Sequence, residues 1–224
     1  MPSKTDNLDN FYVDLRHGLS VASFLERYQS AIRFIHATGL TNDFRLGKGK
    51  TKRLRDEVSP VARFVKQNAA PEDRIAFTLD NTFPDCCIIH EGGHLREIEV
   101  TIAQGRETFF VMTELNEAGT GRGYLGLSDD APTKEFRSEM AKPRQGYFEE
   151  DVVQSIISAV ALCARKKGTT GGDTLLIEAP LETLAPTQWN SHKLRFSEQV
   201  RDLSFTEIYL TGHSDNNDIC LRIK

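Results

Sequence analysis

The sequence has no long apolar run, no large excess of either charge and few cysteines. No stretch approaches the roughly 20 apolar residues that cross a bilayer, and the polar start from Met1 to Asn10 lacks the apolar segment of a signal peptide. We therefore expect a soluble protein of the cytoplasm. The four cysteines include the neighbours Cys86 and Cys87 and show no paired C-x-x-C spacing. This pattern argues against a zinc ribbon or a disulfide framework and predicts free thiols.

The length and the charge distribution limit the kinds of protein that the chain can be. Its 224 residues are enough for one domain with a full core, and the net charge of −4 is not gathered into a tail. Any surface that binds nucleic acid must therefore be local. We expect one compact domain in which an N-terminal helical segment, residues 1–70, packs on an α/β core, residues 71–224.

Apolar periodicity predicts the secondary structure. Residues repeat at helical spacing in the stretches 21–35, 58–68, 107–115, 149–167 and 192–203. They alternate or form short apolar runs, as strands do, in the stretches 74–79, 86–89, 95–104, 174–179, 205–211 and 219–223. Residues 119–147 show little pattern and are predicted to be mostly loop. This order predicts a mixed central β-sheet flanked by helices, an α/β or α+β fold.

A basic, glycine-containing stretch runs from residue 42 to residue 53 and is predicted to be a loop. Its cations are Arg45, Lys48, Lys50, Lys52 and Arg53. Two interpretations stay open, because such a stretch is either an ordinary solvated loop or a surface that contacts phosphates.

The strand predicted after Gly93 has an acidic side. Because side chains alternate along a strand, Glu97, Glu99 and Thr101 share one face, and apolar residues occupy the other. The predicted hairpin can place Asp85 beside Glu99, and such oxygen ligands suit Mg²⁺ or Mn²⁺. The alternative is that the acidic face is simply exposed to water.

The hairpin resembles the metal site of the PD-(D/E)XK (restriction-endonuclease-like) nucleases. That superfamily places an aspartate on one strand and a Glu-x-Lys triplet on the next, and Pro84-Asp85 with Glu99-Val100-Thr101 is similar. A long helix that ends in a basic run and leads into an apolar strand is also similar. The resemblance spans roughly residues 76–179 and implies a restriction-endonuclease-like core that hydrolyses phosphodiester bonds with Mg²⁺ or Mn²⁺.

The resemblance implies roles for particular residues. Asp85 and Glu99 would bind the metal with Glu97 nearby, and an acid of the first helices, Glu26 or Glu57, would complete the site. Thr101 stands where the superfamily has lysine, and threonine cannot supply a cation. Three residues are candidates to take over that role: Lys166, Lys167 and Gln104. Alternatively, the site is degenerate and the fold binds nucleic acid or a partner without cutting.

The resemblance implies nucleic acid as the partner, with DNA expected before RNA, and a homodimer is possible because two sites can address two strands. Arg122, in a glycine-rich stretch, is a further candidate to contact phosphate.

A rival motif is His90-Glu91-Gly92-Gly93-His94, which matches the H-E-x-x-H signature of zinc peptidases. That chemistry requires a helix, whereas two adjacent glycines between strands predict a hairpin turn.

Overall fold

The computed structural model describes residues 6–80, 82–103, 105–127, 130–168, 171–214 and 217–224. The helices are α1 (Asp6–His17), α2 (Val21–Ala37), α3 (Thr41–Leu46), α4 (Thr51–Arg53), α5 (Ser59–Asn68), α6 (Arg106–Ala118), α7 (Thr133–Ala141), α8 (Glu149–Lys167), α9 (Pro186–Ser191) and α10 (Lys193–Val200). A π-helical turn, Leu54–Val58, joins α4 to α5. The strands are β1 (Leu19–Ser20), β2 (Arg74–Phe77), β3 (Cys86–Ile89), β4 (Leu95–Ile102), β5 (Gly172–Glu178), β6 (Phe205–Ser214) and β7 (Asn217–Arg222).

The strands form one mixed, seven-stranded sheet in the order β1-β2-β3-β4-β5-β6-β7. Neighbours from β1 to β4 are antiparallel, β4, β5 and β6 are parallel, and β7 returns antiparallel to β6. Parallel neighbours need a crossover, and here helices supply both of them. Helices α6, α7 and α8 lie between β4 and β5 in the chain, and α9 and α10 lie between β5 and β6. The predicted mixed α/β fold is confirmed.

The sheet lies between two helical layers. On one face, Leu176 belongs to a core that includes Phe24 of α2 and Phe64 of α5. On the other face, Leu175 belongs to a core that includes Ile157 of α8 and Trp189 of α9. Neighbouring residues of one strand enter different cores because strand side chains alternate between faces.

Several predicted elements match the structure closely. The helix over residues 149–167 is α8, a helix begins at Val21 as predicted, and another begins at Ser59, one residue after its predicted start. The hairpin between residues 86 and 104 is present as β3 and β4, although Gln104 itself lies outside the described residues. All four cysteines are free, as predicted.

One loop prediction was wrong, and another was right for most of its described length. The basic stretch 42–53 contains α3 and α4, with a break at Gly47, whose φ of 59° ends α3 in the left-handed region. Thr51 then begins α4, and its Oγ1 donates a 2.8 Å hydrogen bond to the carbonyl of Lys48. Residues 119–147 contain α7, which contributes a single buried apolar side chain, Phe136. One buried residue leaves no periodic pattern, so the sequence did not reveal this helix.

No helix within the described residues is long and apolar enough to span a membrane.

Candidate functional site

Asp85 is held at the entrance to β3, opposite the middle of β4. The amide of Thr78 donates a 3.1 Å hydrogen bond to the carbonyl of Asp85. The side chain of Asp85 accepts a 2.8 Å hydrogen bond from the amide of Val100. Because Cys86 pairs with Ile98 in the antiparallel register, Asp85 lies beside Glu99, as the hairpin predicted.

Glu99 is buried, with 4% of its surface exposed. Lys167, in the last turn of α8, forms an ion pair with Glu99 Oε1. The other carboxylate oxygen, Oε2, is buried and has no hydrogen-bond partner in the described part of the chain. The interpretation of Glu99 as a residue exposed to water was therefore wrong, because α8 covers this face of β4.

Glu57 reaches the same cleft from the π-helical turn. Burial, with a smaller contribution from the carboxyl group of Asp85, raises its pKa to about 7. Burial likewise raises the pKa of Asp85 to about 6 against the hydrogen bond from Val100, and the charge of Glu99 adds to the rise. Both shifts arise mainly from desolvation, which disfavours the charged form of a buried carboxyl group. π-Helical turns frequently occur at functional sites, and this one places an acid there.

The cleft has a volume of about 440 Å³, and its walls include Asp56, Glu57, Asp85, Glu99, Thr101 and Lys167. Among the described residues that line it, Lys167 supplies the only ammonium group. Carboxylate oxygens therefore dominate a small, partly buried space, which is the environment that a hard divalent cation prefers.

The structure separates the other predicted site residues. Glu97 does not line the cleft, and its backbone amide bonds to Asp173. Lys166 is exposed on α8, and Glu26 is exposed on α2. Thr101 lies in the cleft, on the face that α8 covers. The candidate Gln104 falls outside the described residues.

The predicted phosphate-binding residues fall into two groups. Lys48, Lys50 and Lys52 are exposed, and Arg45 is half-buried near α6, where it donates a 3.2 Å hydrogen bond to Asn116. Arg122 forms the second group, because it is buried between α6 and the end of α7.

The guanidinium of Arg122 bonds to Glu114 and to the carbonyls of Glu139, Met140 and Lys142. These contacts join α6 to the end of α7, so they favour a structural role for Arg122 over phosphate binding.

The oxygen atoms of this cleft suit a metal ion, but the number of ligands near each other is small. Oε2 of Glu99 is an unpartnered oxygen beside Asp85, and two nearby acids have raised pKa values. Yet no group of three or more His, Cys, Asp or Glu side chains in the described ranges is arranged as a ready metal site. Mg²⁺ tolerates this, because it is usually bound by one or two carboxylates, with water and substrate phosphate as its other ligands.

The His90–His94 segment forms the turn of the β3–β4 hairpin, as predicted. The amide of His90 donates a 2.9 Å hydrogen bond to the carbonyl of His94, and both glycines have positive φ. His90 Nδ1 is 2.8 Å from a carboxylate oxygen of Asp73. This turn lacks the helix that places both histidines of a zinc peptidase on one side.

No protein-family model, curated protein or solved structure matches this chain. The geometry of the cleft is therefore the basis for any assignment of function.

Lys166 and Lys167 are neighbours in a charge run and both were candidates for the missing lysine, with Lys166 the predicted catalytic residue, but helical phase favours Lys167. Lys167 follows the buried residues Val160 and Ala164 by seven and three positions, so it lies on the face of α8 that packs on the sheet. That spacing was available in the sequence. Nothing in the sequence distinguished Glu57 from Glu26, because the π-helical turn changes the direction in which Glu57 points.

Proposed function

We propose that the chain is a divalent-metal-dependent nuclease-like protein that hydrolyses phosphodiester bonds, with DNA expected before RNA. The observation that carries this proposal is the arrangement of Asp85, Glu99 and Lys167, two acids and one lysine from three separate parts of the chain in one cleft. The order of a hairpin, a long helix and a parallel strand supports the proposed resemblance to the PD-(D/E)XK nucleases.

Asp85 and Glu99 would hold Mg²⁺ or Mn²⁺, with Oε2 of Glu99 as the oxygen that remains for it. When bound, the ion supplies positive charge to the phosphate and lowers the pKa of a coordinated water. Lys167 brings an ammonium group to the cleft. It would replace the lysine that the superfamily has at the position of Thr101. Its charge can stabilise the negative charge that develops on the phosphate oxygens.

Glu57 is suited to proton transfer. Its pKa of about 7 lies close to neutral pH, where a carboxylate oxygen can accept a proton from an attacking water and later release it. Asp85 immediately precedes β3 and Glu99 lies on β4, whereas Glu57 lies on the π-helical turn of the helical layer. The cleft between them is where the scissile phosphate would sit.

The proposal is tested by incubating purified protein with plasmid DNA and single-stranded RNA in Mg²⁺, Mn²⁺ or EDTA. We expect metal-dependent cutting that falls at least about 100-fold in Asp85→Asn, Glu99→Gln and Lys167→Met. Lys166→Met is a matched control, because Lys166 neighbours Lys167 but is exposed. Cutting that survives in the Asp85 and Glu99 variants would contradict the assignment.

A second candidate is a degenerate module of the same fold that binds without cutting. The ion pair between Lys167 and Glu99 favours it, because the lysine already neutralises the buried carboxylate without a metal. Calorimetric titration with Mn²⁺ separates the two functions. Binding that disappears in Glu99→Gln supports the nuclease, and absence of binding together with absence of cutting supports the degenerate module.

A further inference from the structure

A second cavity continues the cleft towards α6. Asp56 and Ile102 line both spaces, and the second has a volume of about 310 Å³. Its other walls include Arg45, Arg55 and Phe109. A groove therefore runs from the acidic cleft to an aromatic side chain flanked by cations.

Phe109 is 49% exposed, and packing does not account for its position. Its neighbour Phe110 stacks on Phe136 with ring centroids 4.9 Å apart and planes 4° apart, and so packs α6 on α7. Phe109 meets Phe110 edge to face and turns outward, with the ammonium of Lys48 5.9 Å from its ring centroid. An aromatic ring that combines an accessible surface with an adjacent cation is the arrangement that binds an unstacked base and its phosphate.

The cations beside this ring belong to a segment without acids. Every charged residue from 45 to 55 is basic. Arg55 donates a 2.9 Å hydrogen bond to the carbonyl of Arg45, and its Nε pairs with Asp56, 2.5 Å away, which offsets part of its charge. This side of the groove complements a phosphate backbone, in contrast to the acidic cleft where the groove begins.

We propose that this groove, Arg45, Lys48, Arg55 and Phe109, binds single-stranded nucleic acid, with one base stacked on Phe109 and adjacent phosphates on the cations. A duplex stacks both faces of each base internally, so it cannot offer a base face to Phe109 without unpairing. That the bound nucleic acid continues towards Asp85 and Glu99 rests on the proposed nuclease function. The binding of single-stranded nucleic acid in the groove does not.

Binding is measured by fluorescence anisotropy in EDTA, which separates it from cleavage. The probes are labelled dT and rU 12-mers, a 12-base-pair duplex and a 12-mer with abasic sites. We expect wild type to prefer both single strands over the duplex. Phe109→Ala should weaken binding of intact single strands by about 5- to 150-fold and leave the abasic strand unchanged.

Three variants complete the design. Phe109→Trp should retain stacking, and Phe148→Ala removes an exposed ring that lines neither cavity and should change nothing. Lys48→Met should weaken intact and abasic strands alike, because it removes a phosphate contact.

The results distinguish this inference from the proposed function. Three results would overturn the proposed groove. They are wild-type affinity in Phe109→Ala, equal affinity of the wild type for duplex and single strand, and no binding of any single strand. Stacking-dependent binding without metal-dependent cutting would support the groove while removing the nuclease. A preference for rU over dT, or the reverse, identifies which nucleic acid the groove takes.

Discussion

The ion pair between Lys167 and Glu99 leads to a specific prediction about the free energy of unfolding. Breaking a buried pair costs about 3–5 kcal/mol, because a charge is left without compensation. Here Glu99 is buried, but the Lys167 side chain is 36% exposed, so water screens part of the interaction. We therefore expect Lys167→Met to lower the free energy of unfolding by about 2 kcal/mol, between the buried and surface limits.

The control is Lys166→Met, which removes a cation from the same helical turn. Both variants lose a similar favourable interaction with the helix dipole, about 0.3–1 kcal/mol, so their difference isolates the contact with Glu99. In a chain of this size, 2 kcal/mol corresponds to a fall in Tm of roughly 4–8 °C. Urea unfolding in EDTA, followed by circular dichroism and by the fluorescence of the single, buried Trp189, measures the difference.

A double-mutant cycle completes the test. Glu99→Gln removes the buried charge, so adding Lys167→Met to it should cost much less than Lys167→Met alone, with a coupling of about 1–2 kcal/mol. Mn²⁺ should restore part of the stability of Lys167→Met if an ion can replace the ammonium group. Equal losses in Lys166→Met and Lys167→Met, with no coupling to Glu99, would refute the reasoning.

Two further predictions concern other parts of the molecule. Gly47→Ala should be less stable than Gly49→Ala in urea unfolding, although both positions have positive φ. At Gly47 a new Cβ would lie 2.4 Å from Arg55 Nη2 and push the guanidinium away from its 2.9 Å hydrogen bond to the carbonyl of Arg45, whereas at Gly49 it would meet open space. Equal losses would contradict this. A hydrogen bond with His213 holds the pKa of Asp218 well below its usual range, so this acid stabilises the fold above the unfolded pKa of about 4. The stability advantage of wild type over Asp218→Asn should therefore be full at pH 7 and shrink as the pH falls below about 4, and a constant gap would show that ionisation is not its cause.

The sequence predicted the parts of the fold that depend on repeated apolar contacts. Helix α8 has seven buried residues at helical spacing, and its limits were predicted without error. Helix α7 buries only Phe136, and the short helix α3 has no buried residue, so neither produced a pattern. Local periodicity reports burial, and these helices are fixed instead by a few contacts from other parts of the chain.

At the site, the sequence predicted the pairing of Asp85 with Glu99, because a hairpin fixes which residues face each other. It named Glu57 only as an alternative to Glu26, because the approach of Glu57 depends on a π-helical turn and on the packing of the N-terminal helices over the sheet. It did not predict the aromatic groove. Phe109 and Lys48 are 61 positions apart, and α3 and α6 come together only through the tertiary fold.

The position of the lysine shows how one chemical requirement can be met from two elements. On a strand, a residue two positions after Glu99 points to the same face, and Thr101 occupies that place. Because α8 packs over this face, a cation in the last turn of α8 can reach Glu99 from the helix instead of from the strand. A basic residue there also interacts favourably with the helix dipole, so the run Arg165-Lys166-Lys167 has a structural reason to exist apart from any site. Charge alone therefore cannot identify which member of such a run has a second role. Helical phase does so, because only Lys167 lies on the face that the sheet buries.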